Sequence, residues 1–324
     1  MRASVMQETF KKFIHELKPN THVILLAHRD PDFDTLSACA AIGIIAQQRG
    51  CSVELIIPNT EPVTLDYFPF AIQSATHTRT PDLLVICDTA NIDRVYFPTE
   101  FVGIPVALFD HHQGGNLKPT YRMVDNTAPS CCDLIADIIY THDKDLLTPE
   151  IAQLLLDGLV ADTLSFRTSG VQPTTFIRAS KLLEAGARPL ISHTRLTQKQ
   201  TPEDFIFKTQ LMSRVAIDAA ASCAYVMVTE QELAAAGRTK GALEGMGNEM
   251  LSGMFINTTI VAYTMNSGET KVSLRSNTSN MYELARARGG GGHLVAAGFS
   301  TEKKPTEIIH ELLAELAAEQ RAQK

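Results

Sequence analysis

The chain predicts an α/β fold, in which a parallel sheet with helices on both faces precedes a second, smaller α/β unit. Three observations carry this. Short apolar runs alternate with helical segments through the first part of the chain, as parallel sheets require. Three of those runs end in polar residues: 23–28 at His28, 83–88 at Asp88 and 105–110 at Asp110. Beyond about residue 217 the alternation gives way to a second pattern of strands, helices and a glycine run.

The elements follow in order. An amphipathic helix opens the chain and runs to about Leu17. Strands are expected at 23–28, 52–58, 83–88 and 105–110, and helices at 35–49, 129–142 and 149–164. Thr148 can cap the last helix, with Pro149 in its first turn. A helix near 173–186 ends at Gly186. Residues 188–210 are more polar and read as a connector, with a helix near 202–216. Then come strand 223–229, helix 241–252, strands 257–265 and 270–276, helix 280–288 and a short strand at 297–300. A helix from about 305 turns Ile308, Ile309, Leu312, Leu313 and Leu316 toward a core. The expected domains are 1–187 and 217–324, joined by 188–216.

Composition narrows the class. No run of the 324 residues approaches 18 uninterrupted apolar positions, which argues against a membrane-spanning helix. The amino terminus lacks the apolar core of a secretion signal. The six cysteines (39, 51, 87, 131, 132 and 223) show no metal-binding spacing, and most lie in apolar stretches, as in a cytoplasmic protein. A net charge of −7 argues against a continuous basic track for long nucleic acid. It leaves room for a small phosphorylated ligand, which needs only a few local cations. Most of the negative charge lies in the first part, since 211–324 holds eleven Lys and Arg against twelve Asp and Glu.

The strand ends carry the chemistry. His28, Asp32 and Asp34 fall within seven residues, and Asp32 and Asp34 point the same way in extended backbone. Asp88 and Asp110-His111-His112 come from other strands, and Asp162 from the end of a helix. Any one aspartate after a buried strand is usually a cap or turn residue. Compatible ligands from four separate segments are not explained that way. Asp32, Asp34, Asp88 and Asp162 bring four negative charges, which two divalent ions would balance. Imidazole and carboxylate donors without thiolate suit manganese, magnesium or iron better than a structural zinc. Asp30 falls outside the ligand spacing and reads as a loop residue.

A second group lies near the end of the chain. Gly289 to Gly292 precede His293, and glycines allow backbone amides to approach an anion closely. A bare glycine run is also a flexible turn. The preceding helix, the histidine and Ala296-Ala-Gly298 favour phosphate binding. Strand alternation puts Arg275 on one face with Lys271 and Ser273, where it reads equally as a surface cation or a ligand. Arg286 and Arg288 sit on a last helical turn, where they complement the helix dipole.

Taken together, the chain resembles the DHH phosphoesterase superfamily over nearly its whole length. The motifs are His28-x3-Asp32-x-Asp34, Asp88-Thr-Ala-Asn-Ile-Asp-Arg94, Asp110-His111-His112 and Gly158-Leu-Val-Ala-Asp162-Thr-x-x-Phe-Arg167. Lys271-Val-Ser-Leu-Arg-Ser276 and Gly289-Gly-Gly-Gly-His293-x-x-Ala-Ala-Gly298 resemble the DHH-associated carboxy-terminal domain. One departure is Asp34-Thr-Leu-Ser-Ala38, where many relatives carry Ala-x-Gly-Ser after the aspartate.

The architecture is similar to the stand-alone, two-domain oligoribonuclease branch. That resemblance implies two divalent ions, manganese foremost, in a cleft between the domains. His28, Asp32 and Asp88 would hold one ion, and Asp34, Asp88, His111 and Asp162 the other. Asp88 would bridge them as a catalytic residue, and His112 would be catalytic by facing the substrate phosphate. Asp110 would support the loop or orient a histidine. Arg275, Gly290, Gly291, Gly292 and His293 would bind substrate.

The implied activity is hydrolysis of short oligoribonucleotides and of dinucleotides such as pApA or pGpG, together with 3′-phosphoadenosine 5′-phosphate. The branch also allows a homodimer. Cyclic di-AMP hydrolysis, pyrophosphatase or exopolyphosphatase activity, and a non-catalytic nucleotide sensor are the alternatives. A polyphosphate enzyme would carry a more basic second domain. A sensor would carry a broken ligand set.

Overall fold

A computed structural model describes residues 2–29, 31–58, 72–74, 77–197 and 201–322; the side chains of 2–4, 72–74, 197 and 293 lie outside that description, as does the expected loop residue Asp30. The chain divides into two compact units, Met1–Lys199 and Gln200–Lys324. Among the described residues no helix is long and apolar enough to cross a membrane.

The first unit runs α1 (Arg2–Glu16), β1 (His22–Leu26), α2 (Phe33–Gln48), β2 (Ser52–Ile57), β3 (Ile72–Ser74), β4 (Leu83–Cys87), β5 (Val106–Asp110), β6 (Tyr121–Val124), α3 (Cys131–His142), α4 (Pro149–Asp162), α5 (Pro173–Glu184) and α6 (Pro189–Thr197). Six strands form one sheet in the order β3-β2-β1-β4-β5-β6, and every pair is parallel. The chain winds one way from β1 to β3, returns to β4 beside β1, and winds the other way to β6. This is the doubly wound arrangement, whose switch point lies between β1 and β4.

Strand alternation divides the core. Val23, Leu25, Val85 and Phe109 face α1 to α4, while Ile24, Leu26, Ile86 and Leu108 face the other side. That second side is closed by Tyr96, Phe97 and Phe101 from a segment with short 3-10 turns at Ile92–Arg94 and Thr99–Phe101. Phe13 of α1 packs edge-on against Phe109, their centroids 5.5 Å apart. Burying each ring contributes about 1.5–3 kcal/mol.

The helix starts follow their caps. Thr148 Oγ1 accepts from Ile151 N with Pro149 in the first turn, and Gln172 and Thr175 form a reciprocal capping box at α5. Gly186 follows α5 with a left-handed φ of 107°.

The second unit runs α7 (Pro202–Met212), β7 (Ala216–Asp218), β8 (Cys223–Thr229), α8 (Glu230–Ala235), α9 (Met246–Met250), β9 (Thr258–Thr264), β10 (Thr270–Ser276), α10 (Met281–Arg286), β11 (Gly291–His293), β12 (Ala296–Thr301) and α11 (Pro305–Ala322). Its sheet has the order β11-β12-β10-β9-β8-β7, with only β8 and β9 parallel. The helix α11 buries Ile308, Ile309, Leu312, Leu313 and Leu316 on one face of this sheet, while Phe207 and Met246 pack on the other.

Several elements depart from the sequence reading. The expected connector carries two helices. The first, α6, is held by Asp157 of α4, which accepts from Ser192 Oγ at 2.6 Å and Arg195 Nη1 at 2.5 Å. The helix expected to reach 216 stops at Met212, and Ala216 begins an edge strand. The helix expected at 241–252 is broken into a 3-10 turn, Lys240–Leu243, and α9. Gly245 stands between them with a left-handed φ of 77°. The glycine run is no free loop. Its Gly290 amide closes the end of α10 on Ala285 O, and Gly291 and Gly292 enter β11.

Candidate functional site

The switch point gathers the polar residues. His28 follows β1, Asp88 follows β4 and Asp110 ends β5, so all three stand at carboxyl ends of neighbouring strands. Asp32 caps α2, accepting from Thr35 N at 2.9 Å, and Asp34 lies in the first turn of that helix. Asp34 is 1% exposed. Its two oxygens accept from Cys131 N at 2.6 Å and Cys132 N at 2.9 Å, so the first amides of α3 meet the carboxylate. Helix α4 brings Asp162 to the same place. It approaches through Gly158, where a β-carbon would stand 2.3 Å from Cys132 Sγ and 2.8 Å from Asp34 Oδ1. No side chain larger than hydrogen fits there.

Three overlapping sets of donor atoms result: His28, Asp32 and Asp88; Asp34, His111 and Asp162; and Asp88, His111 and His112. Within each set the donor atoms lie within 4.8 Å of one another. Asp88 holds the middle. Its Oδ2 is 3.7 Å from His28 Nε2, and its Oδ1 is 3.4 Å from His111 Nε2 and 3.6 Å from His112 Nδ1. His111 Nε2 is also 3.6 Å from Asp162 Oδ2. The other ring nitrogens face supporting groups: His111 Nδ1 is 3.1 Å from Ala128 O, and His28 Nδ1 is 2.8 Å from Arg29 O. Asp110 Oδ1 lies 2.9 Å from His112 Nδ1 and accepts from its backbone amide. Asp88 has a left-handed φ of 65°, a strained conformation of the kind that collects at functional sites.

So many buried charges hold protons in unusual places. Burial, with Asp88 and Asp162 nearby, drives the Asp34 carboxyl well above its ordinary range. Burial likewise raises Asp162 to about 6. For Asp88 burial pushes upward too, but His111, His28 and His112 outweigh it and hold its pKa down. Burial would lower His111, yet Asp88, Asp34 and Asp162 raise it to about 10. The hydrogen bond that His112 donates to Asp110 leads the rise at His112, against burial. Beneath the cluster, burial raises the thiols of Cys87, Cys131 and Cys132, which leaves them protonated and unsuited to ligation. Asp88 Oδ1, buried and without a hydrogen-bond partner among the described residues, is the kind of oxygen a cation would satisfy. With nitrogen and oxygen donors alone, the cluster fits hard or borderline divalent ions and would exchange its protons for them.

Comparison with known proteins agrees. Residues 22–159 match the DHH family, N-terminal domain, and residues 222–321 match the DHHA1 domain. This chain belongs to the DHH phosphoesterase family. It is 26% identical over 312 residues to the bifunctional oligoribonuclease and PAP phosphatase NrnA of Thermus thermophilus, covering 92% of this chain and 90% of that one. The protein of the same name from Bacillus subtilis is 24% identical over 286 residues, covering 86% and 88%. The crystal structure of an exopolyphosphatase-related protein from Bacteroides fragilis has the same fold, with a TM-score of 0.83 at 18% identity over 99% of this chain and 97% of that one.

The DHHA1 unit places the second expected group on one sheet. Arg275 of β10 is paired with Ala296 of β12, which is paired with His293 of β11. Arg275 is half-buried and donates to its own neighbour's carbonyl, Leu274 O, at 2.8 Å. Gly290 is packed so closely that a β-carbon would stand 2.2 Å from Gly298 O. The glycines thus serve helix closure and strand contact. Arg288 reaches back to Leu284 O at 3.1 Å, as a helix-terminal cation should, and forms an ion pair with Glu315. The side chain of His293 lies outside the described residues.

Two DHH-unit residues escaped the sequence reading as site groups. Arg94 Nη2 stands 3.2 Å from His28 Nδ1, on a segment that folds back through Arg29 N to Arg94 O. Thr35 is fully buried, and its hydroxyl lies 2.7 Å from His28 Nε2, 2.7 Å from Asp88 Oδ2 and 3.1 Å from Asp32 Oδ1. The signal for Thr35 was the departure from the resembled motif at Asp34-Thr-Leu-Ser-Ala38. Thr35→Ala should therefore destabilise the metal-free protein by about 1.5–3 kcal/mol, the worth of a hydrogen bond to a charged group. Added manganese should remove most of that difference, because an ion satisfies the same carboxylates. Thermal melts with and without manganese check this, and an equal loss in both would refute it.

Proposed function

We propose that this DHH protein hydrolyses short 5′-phosphorylated oligoribonucleotides, dinucleotides such as pApA or pGpG above all, to mononucleotides, and that it also removes phosphate from 3′-phosphoadenosine 5′-phosphate. The observation that carries the reading is that His28 and Asp32 gather with Asp88, while Asp34 and Asp162 gather with His111, whose Nε2 is 3.4 Å from Asp88 Oδ1. His28, Asp32 and Asp88 would hold one divalent ion, and Asp34, Asp88, His111 and Asp162 a second, with manganese the ion to test first. Bound there, the ions would supply positive charge to the phosphate undergoing transfer.

The remaining work belongs to the protein. Asp110 orients the His112 ring through Nδ1, and His112 would donate a proton to a phosphate oxygen or to the departing oxygen. His112 suits this because its side chain is 34% exposed, against 14% for His111. The amides of α3 and the small residue at Gly158 keep Asp34 in place. Arg275, Gly290, Gly291, Gly292 and His293 would take the other end of the substrate.

A substrate panel with manganese tests the proposal. It should contain linear dinucleotides, RNA of about twenty nucleotides, cyclic di-AMP, 3′-phosphoadenosine 5′-phosphate and pyrophosphate. Dinucleotides should turn over at least about ten times faster than the long RNA, whose phosphates meet a chain of net charge −7. Faster hydrolysis of cyclic di-AMP or pyrophosphate would transfer the assignment to that substrate.

A further inference from the structure

The carboxylates proposed to hold ions are not all fixed in the same way. Asp32 accepts from the Thr35 amide at 2.9 Å, Asp34 from the first amides of α3, and Asp88 from the Thr35 hydroxyl at 2.7 Å. The side chain of Asp162 accepts no hydrogen bond among the described residues. Its Oδ2 stands 3.6 Å from His111 Nε2, and the side chain is 33% exposed. Where Asp162 sits therefore depends on the backbone that carries it.

That backbone is unusual. Helix α4 stops at Asp162, where the amides of Thr163, Leu164 and Ser165 close on the carbonyls of Leu159, Ala161 and Val160. Leu164, Ser165 and Phe166 then take left-handed φ values of 48°, 61° and 63° in succession. L residues visit this region one at a time, and helices that close through it mostly use glycine. None of the three is glycine, asparagine or aspartate, the residues that enter it most readily. The side chains of Leu164 and Ser165 are exposed, so their own packing does not compel the turn.

The turn is held from its two ends instead. Thr163 is fully buried; its hydroxyl donates to Leu159 O at 2.6 Å and accepts from Phe166 N at 3.0 Å, and its carbonyl accepts from Arg167 N at 2.8 Å. The ring of Phe166 packs against the core of the first unit and stacks on Phe176 of α5, their centroids 5.1 Å apart. Strained backbone persists only where its surroundings over-determine it. Here they do so beside the one proposed carboxylate ligand that lacks a hydrogen bond of its own.

We infer that the left-handed turn at 164–166 is a positioning device for the second ion: clamped by Thr163 and Phe166, it sets Asp162 against His111 where no hydrogen bond does. Thr163 and Phe166 are positioning residues, acting through Asp162. The inference rests on the two-ion reading above. It makes the ion at Asp34, Asp88, His111 and Asp162 sensitive to the turn and leaves the ion at His28, Asp32 and Asp88 largely indifferent to it.

Ser165 gives the cleanest test, because its exposed side chain makes no hydrogen bond among the described residues and substitution there acts on the backbone alone. Ser165→Gly should melt higher than the parent in chelator, since glycine enters the left-handed region without strain, and should bind manganese as the parent does. Ser165→Val, whose branched side chain resists that region, should weaken the second manganese ion by about tenfold and the first by less than about twofold. Thr163→Val should also weaken the second ion selectively, while Thr163→Ser, which keeps the hydroxyl, should bind as the parent does. Calorimetric titration of the full chain with manganese, beside melting curves in chelator, reads all of this without turnover.

Two manganese ions held equally by the parent, Ser165→Val and Thr163→Val would overturn the inference and leave the two-ion reading standing. Equal weakening of both ions in the valine variants would reduce the turn to a structural role and overturn it too, as would a Ser165→Gly protein that melts below the parent. A parent chain that binds fewer than two ions would overturn the two-ion reading itself, and the inference with it.

Discussion

Asp88→Ala should abolish phosphoester hydrolysis, with turnover falling by about a thousandfold or more, which is roughly 4 kcal/mol of lost transition-state stabilisation. Both oxygens of this carboxylate face other donor residues, so its removal disorganises both proposed ion positions at once. The fold should survive, because the loss takes a buried negative charge out of a crowded cluster. Asp88→Asn is the companion variant. Asparagine tolerates the left-handed backbone at this position and keeps the shape of the side chain while losing the charge. Melting curves, bound metal and turnover would be compared across the three proteins. A variant retaining two tightly held ions and more than a tenth of the activity would exclude Asp88 as the bridge.

The two adjacent histidines should separate in effect. His112→Ala should lower turnover by about a hundredfold to ten-thousandfold, the range for loss of a general acid, with little change in metal content. His111→Ala should lose metal first and activity as a consequence. Their surroundings explain the difference: His111 Nε2 lies between Asp88 and Asp162, while the Nδ1 of His112 is taken by Asp110. Turnover and manganese content measured over a range of added metal would show it, since excess manganese should rescue His111→Ala alone. Equal metal loss in both variants would show that the histidines share one role.

What the sequence disclosed depended on whether a residue carries its own signature. His28, Asp32, Asp34, Asp88 and His111 stood out as polar residues at or just beyond the ends of buried apolar strands, and Asp162 as the polar end of an apolar helix; their donor atoms fall into overlapping groups. Strands β4 and β8 were clear for the same reason, being short runs rich in β-branched residues. Glycine hides such patterns. Gly291 and Gly292 show no alternation, so β11 read as a loop. Short edge strands such as β7 give too few residues for a period to show. Helix α6 was missed because the partner that anchors it, Asp157, is more than thirty residues earlier and looks like any helical aspartate until it is seen buried against Ser192 and Arg195. Thr35 and Gly158 matter through what they touch, and contact across separate elements is not written in local spacing.

The donor groups of the DHH unit are spread from His28 to Asp162, and they enter from β1, α2, β4, β5 and α4 in turn. Most of the unit must therefore be synthesised before the set is complete. On a ribosome, the segment through Asp110 would emerge with its carboxylates gathered but without the helix that supplies Asp162, or the α3 amides that hold Asp34. Of the two proposed ion positions, the one at His28, Asp32 and Asp88 draws only on residues made early, whereas the one at Asp34, His111 and Asp162 would be completed late, once α4 has packed on α2.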